Sequence, residues 1–149
     1  MRLVRNAPQG AALPDFRRTR RLRGSAAVRG LVRETTITPD DFIQPLFITH
    51  GTGVHREIGS MPGQFQLSVD VLPREIAELA EAGIRAVLLF GIPEEKDRYA
   101  SGAFDPDGVV QRAMRTVKRE MPEMLVIGDV CACEYTDHGH CGILDGCEV

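Results

Sequence analysis

Apolar positions along the chain fall into blocks whose spacing changes from one block to the next. Phe42 to His50 (FIQPLFITH), Ile84 to Gly91 (IRAVLLFG) and Met124 to Val130 (MLVIGDV) are short, nearly continuous apolar runs. Runs of that length rich in Val, Ile, Leu and Phe predict strands, and their unbroken apolar character predicts burial in a parallel sheet. Pro45 must then lie near the start of its strand or at an edge, because it donates nothing to a ladder. Between the second and third runs, Val109 to Met121 (VVQRAMRTVKREM) carries helical periodicity. Before the second, Ser68 opens a helix with Pro73 near its first turn; Ile76, Leu79 and Ala80 share one face, and Gly83 stops it. Ser25 to Glu34 predicts a shorter helix with Ser25 as N-cap, weakened by Gly30. Residues 51–68 (GTGVHREIGSMPGQFQLS) and 92–108 (IPEEKDRYASGAFDPDG) predict long irregular loops, the kind that carry function.

Strand, helix, strand, helix, strand is the alternation of an α/β fold with parallel strands, and it leads to a doubly wound sheet or a (β/α)8 barrel. In either architecture the residues just past each strand's C-terminal end gather on the functional face. No GxGxxG, P-loop or Walker-type lysine follows any predicted strand, which counts against nucleotide binding.

Composition adds little until charge is divided along the chain. With 149 residues, 43% hydrophobic and 26% charged, the chain is long enough for one domain with a real core. There is no apolar run of membrane-spanning length and no secretory leader, so a cytoplasmic, reducing compartment and no membrane partner are expected. Residues 1–33 hold nine arginines against one acid, Asp15, whereas the remainder holds nine basic and twenty acidic residues. Such an arm can bind nucleic acid, or lie on an acidic face of its own or a neighbouring subunit. Aromatic interleaving is absent apart from Phe16, which argues against nucleic acid. A transit peptide is also Arg-rich, but this arm has a single serine and two prolines.

Three of the four cysteines crowd into Asp129 to Gly142 (DVCACEYTDHGHCG), at the end of the third predicted strand. In a reducing compartment, clustered cysteines bind metal more often than they pair. Extended backbone would put Asp129, Cys131 and Cys133 on one side and Val130 and Ala132 on the other. Parallel thiols two residues apart make a strained disulfide but can lean onto one ion. Seven residues with Gly139 separate Cys133 from Cys141, enough for the chain to fold back and add a third sulfur. Soft sulfur selects zinc. Three ligands would leave an open, catalytic position, whereas Cys147, His138 or His140 as a fourth would close a structural site; spacing leaves both open.

Outside the trio, His138 and His140 flank a glycine, where hydrogen bonding is the simpler role, and His50 and His55 read as structural. Asp129 has two readings, an orienting or acidic group at the site and a capping residue in a turn. Tyr135 reads as packing and Cys147 as an ordinary thiol.

DVCACEYTDHGHCGIL resembles the zinc-binding segment of the porphobilinogen synthase family, also called delta-aminolevulinic acid dehydratase. The resemblance extends upstream through RRLRGSAAVRGLVRET, DFIQPLFI, SMPGQFQLSVD, EIAELAEAGIRAVLLFGIP and DPDGVVQRAMRTVKREMP, from about residue 15 onward. It implies an α/β fold, the N-terminal portion of a (β/α)8 TIM barrel, incomplete here. A basic arm and short helix over residues 1–33 would embrace a neighbouring subunit, and residues 34–149 would form the first βα units up to the zinc loop. It implies homo-oligomers, typically octamers, and condensation of two 5-aminolevulinate molecules to porphobilinogen, a step toward haem.

By the same likeness Cys131, Cys133 and Cys141 would hold an active-site zinc, with His140 contributing to a second zinc and Asp129 supporting. Additional magnesium is implied for the intact enzyme. The family works through two Schiff-base lysines, which neither Lys96 nor Lys118 matches, and three predicted strands cannot close a barrel. The sequence is therefore expected to be a partial one, inactive alone and holding zinc weakly. Cys147 departs from the family pattern, which carries glycine there, and its role is open. The competing expectation is a non-catalytic zinc module whose arginine arm binds an anionic partner.

Overall fold

The computed structural model describes residues 20–145. These fall in two compact units that divide between Thr36 and Ile37. Arg17 and Arg18 of the arm, and Cys147, lie outside the described residues.

In the first unit, helix α1 spans Ala26–Leu31, shorter than the run predicted for it. Ser25 caps it as expected, its hydroxyl accepting from the Val28 N–H at 3.2 Å. Nothing in this helix is buried, and Leu31 is 86% exposed.

The second unit holds a five-stranded sheet of order β2-β3-β1-β4-β5, with β1 at Gln44–Thr49, β2 at His55–Glu57, β3 at Phe65–Ser68, β4 at Ala86–Ile92 and β5 at Leu125–Gly128. Helix α2 (Leu72–Glu81) leads into β4, and α3 (Val109–Glu120) into β5. β1 runs parallel to β3 and β4, and β4 parallel to β5; only β2 is antiparallel, against β3. The β3 side of β1 is paired only from Phe47 onward, so Pro45, near the strand start, interrupts no ladder there.

The stretch 51–68 departs from the irregular loop expected of it. Its β2 strand is exposed along its length, so no apolar alternation announced it. Ser68 ends β3 and is also the N-cap residue of a 3-10 turn (Val69–Val71) that runs straight into α2, so it opens the helical stretch as expected, but without a side-chain cap bond. Its buried hydroxyl accepts from the Val54 N–H at 2.8 Å, and α2 begins only at Leu72, with Pro73 in the first turn. At the other end Gly83, at φ +86°, closes α2, with the Ile84 N–H donating to Leu79 O at 2.9 Å as in a Schellman cap.

One face of the sheet carries the core. Leu46 and Ile48 of β1, Leu67 of β3, and Val87 and Leu89 of β4 meet Leu72 and Ile76 of α2 and Val109, Val110, Ala113 and Val117 of α3. Each helix therefore buries the stripe its spacing prescribes. On the opposite face Phe47 and Phe90 stack at 5.4 Å, half-buried. The third predicted strand is not buried on both sides: β5 is the last strand of the described sheet, Leu125 is exposed, and Val130 beyond it is 100% exposed.

Leu89 is wholly buried between sheet and helices. Leu89→Ala is expected to lower unfolding stability by about 2–5 kcal/mol, read from urea denaturation. A loss within the surface-substitution range of about 0.5 kcal/mol would place the core elsewhere.

Candidate metal centre

β5 ends at Gly128, held over Met114 of α3 so closely that a side chain at 128 would overlap the Met114 methyl. The Asp129 N–H still donates to Leu89 O at 3.1 Å, keeping the chain in line with β4 for one residue more. It then turns. Ala132 O accepts from the N–H groups of both Tyr135 (2.9 Å) and Thr136 (3.0 Å), so Cys133 sits inside a turn. The extended alternation expected through Cys133 therefore fails; a curled backbone brings the sulfurs together. Gly139 at φ +78° lets the chain return, and the Thr136 hydroxyl donates to His140 O at 3.0 Å beside Cys141.

The thiols of Cys131, Cys133 and Cys141 meet as a consequence. All three are free cysteines, their sulfurs within 4.8 Å of one another. Cys131 Sγ lies 2.7 Å from Cys133 Sγ and 3.2 Å from Cys141 Sγ. The Cys133 N–H donates to Cys141 Sγ at 3.3 Å. Ligands about 2.3 Å from a tetrahedral zinc stand about 3.8 Å apart, so the trio fits such an ion after spreading by about an ångström. Among the described residues no histidine, aspartate or glutamate joins this group.

Protons are shared unequally among these thiols. Hydrogen bonding to Cys131, and then to Cys141, pushes the Cys133 thiol up to about 12. Cys141 moves down instead, because Cys131 and the N–H of Cys133 donate to its sulfur. Of these two thiols, Cys141 gives up its proton more readily than Cys133. Soft sulfur is a donor set for zinc and not for magnesium or calcium.

Asp129 is exposed and lines, with Cys131, Tyr99, Phe104, Met114 and Tyr135, a cavity of about 630 Å³. Its carboxylate also acts on neighbours. Partial burial raises Glu134 above the usual carboxylate range, with Asp129 adding to the effect. Burial, Glu134 and Asp129 together raise Tyr135. Glu134 is a group the sequence reading passed over: a single acid between two ligands carries no spacing signal, and only the fold brings it beside Asp129.

The remaining histidines find simple partners. His138 Nδ1 accepts from the His140 N–H at 3.2 Å, and the two rings stack at 5.8 Å, outside the thiol group. His55 lies over Phe65 at 4.1 Å and 3.9 Å from Glu75, while His50 stands 4.0 Å from Glu94.

Neither lysine approaches the thiols through a buried environment. Lys118 Nζ donates to Pro122 O at 2.6 Å and Met124 O at 2.9 Å, tying down the turn that enters β5, at the far end of the strand from the cysteines. Lys96 is exposed in the loop after β4.

The sequence profile of delta-aminolevulinic acid dehydratase matches residues 16–149. The chain belongs to that family. It is similar to the dehydratases of Halalkalibacterium halodurans (49% identity over 130 residues, 87% of this chain and 40% of that protein) and Helicobacter pylori (50% over 135 residues, 90% and 42%). The chain therefore spans about two-fifths of the length of the curated relatives it matches. It also superposes on the Toxoplasma gondii delta-aminolevulinic acid dehydratase (porphobilinogen synthase), crystallised with the reaction product porphobilinogen, with TM-score 0.80 and 38% identity over 89% of this chain and 38% of that one.

Family membership decides between the two α/β destinations. Strands β1, β4 and β5 add side by side in one direction with both linking helices on one face, and they are the first turns of a dehydratase TIM barrel. The half-buried face with Phe47 and Phe90 is the one such a barrel turns inward. Among the described residues, no helix is long and apolar enough to cross a membrane.

Proposed function

We propose that this chain is the metal-binding portion of a porphobilinogen synthase, which condenses two 5-aminolevulinate molecules to porphobilinogen with loss of two waters. The observation that carries the reading is the meeting of three free thiols at the C-terminal end of a parallel strand, in a chain of this family.

Cys131, Cys133 and Cys141 are the residues that would hold a zinc ion. Bound zinc supplies Lewis acidity toward a substrate carbonyl. Asp129 lines the same cavity, where its carboxyl group would receive a substrate amine or a proton in transit. His140, exposed beside the loop, is the proposed contributor to a second zinc. A cytoplasmic setting goes with this reading, since clustered cysteines in a reducing compartment bind metal more often than they pair. The arginines of the arm over residues 1–33 are assigned to contacts with a neighbouring copy in a homo-oligomer of the octameric kind. Family membership and the βα units argue against a stand-alone zinc module with an anionic polymer as its partner.

X-ray absorption on the zinc-loaded chain tests the reading. Three sulfurs at about 2.3 Å with one light scatterer are expected. Four protein ligands, or no zinc-sulfur shell, would overturn it.

A further inference from the structure

The thiol loop has neither helix nor strand of its own, and its internal bonds to the ligand sulfurs are local, such as the Cys133 N–H on Cys141 Sγ. Its shape is set from outside. The Asp97 N–H donates to Tyr135 O and the Asp137 N–H to Asp97 O, both at 3.2 Å, a parallel bridge across Thr136 that joins the β4–α3 loop to the thiol loop. Asp97 is itself held by its side chain: Oδ1 accepts from the N–H groups of Tyr99 at 2.7 Å and Ser101 at 3.1 Å.

Beside that bridge the ring of Tyr135 is 8% exposed. It occupies a socket whose walls are glycines. A methyl group at Gly91 of β4 would overlap Tyr135 Oη and stand 2.7 Å from Val110 Cγ2; one at Gly102 would stand 3.2 Å from Tyr135 Cδ1. From this anchor, backbone bonds to Ala132 O fix the turn bearing Cys133, and Thr136 fixes His140 next to Cys141.

We propose that Asp97 and Tyr135 are positioning residues for the metal: Asp97 clamps the thiol loop's backbone and Tyr135 plugs it into the Gly91–Gly102 socket, so that β4 and its loop set the spacing of the three sulfurs. The proposal rests on the zinc reading above and assigns its preorganisation to residues that never touch the ion. Partners that orient ligands from outside the coordination sphere commonly govern metal affinity.

Cobalt(II) titration of the chain, followed by zinc competition, reads the effect through the thiolate charge-transfer and visible d–d bands. Asp97→Ala and Tyr135→Ala are each expected to weaken zinc binding by about 10–100-fold. Asp97→Asn, which keeps the Oδ1 acceptor, and Tyr135→Phe, which keeps the ring, are expected to stay within about threefold of the parent, well short of that range. In the metal-free protein the alanine variants should speed hydrogen exchange at the Asp137 amide while leaving Val87 and Leu89 of β4 unchanged. Alanine variants that bind zinc like the parent would overturn the clamp alone. Faster exchange at Val87 and Leu89 in step with the lost affinity would overturn it too, by assigning these residues to the fold and not to the thiols. A parent chain without the cobalt-thiolate bands would remove the zinc reading and the clamp together.

Discussion

Cys133→Ser is expected to weaken zinc binding by about two to three orders of magnitude. Zinc sites in small domains total about 10–16 kcal/mol over four ligands, so one ligand carries about 3–4 kcal/mol, or about 10²–10³-fold. A serine hydroxyl stays protonated where a thiol ionises on the metal, so the hard oxygen does not substitute for it. Cys133 is the sharpest choice because it sits in the turn that brings the trio together, 2.7 Å from Cys131 Sγ. Isothermal titration of the parent and the variant measures the change. Cys147→Ser should leave affinity within about threefold, a small part of one ligand's share, because the open-site reading gives Cys147 no bond to the ion. Equal affinity for Cys133→Ser and parent would sink the three-thiolate site. A large loss with Cys147→Ser would instead mean a closed, structural one.

The second large effect is an absence of turnover. The zinc-loaded chain of 149 residues is expected to form no porphobilinogen from 5-aminolevulinate, and borohydride reduction should trap no substrate on either lysine. A Schiff-base lysine needs its ammonium destabilised by burial or by a neighbouring cation so that the free amine is available to attack. Lys118 is engaged elsewhere, with two carbonyl oxygens accepting from its Nζ and the length of β5 between it and the thiols. Lys96 is exposed. A colorimetric pyrrole assay and mass spectrometry of the reduced protein read the two outcomes. A borohydride-stable adduct on Lys96, or pyrrole formed in a preparation free of host enzyme, would show that this portion carries chemistry of its own.

Local pattern carried much of the fold. The apolar runs around β1 and β4 and the helical stripes of α2 and α3 were legible because each buries a face whose period differs between strand and helix. The β2–β3 hairpin was not, since β2 exposes every side chain and so has no periodicity to read. Ser68 was legible as the residue that opens the helical stretch; that its hydroxyl, in place of a cap bond, is taken by the Val54 N–H from across the sheet was not. β5 looked like a buried strand because its side chains are apolar; burial depends on neighbours, and in the described sheet nothing pairs beyond it.

At the metal centre the division falls in the same place. Which atoms could bind, and which class of ion they prefer, follows from residue identity and short spacing: three cysteines within eleven positions, a glycine to turn on, and sulfur's softness. How those sulfurs meet was decided by the tertiary structure, because the Asp97 bridge and the seat of Tyr135 against Gly91, which hold the turn at Ala132, join residues about 40 positions apart. Short-range pattern can name ligands, since ligand chemistry belongs to each side chain. It cannot place them, since their separation is set by backbone that arrives from another strand.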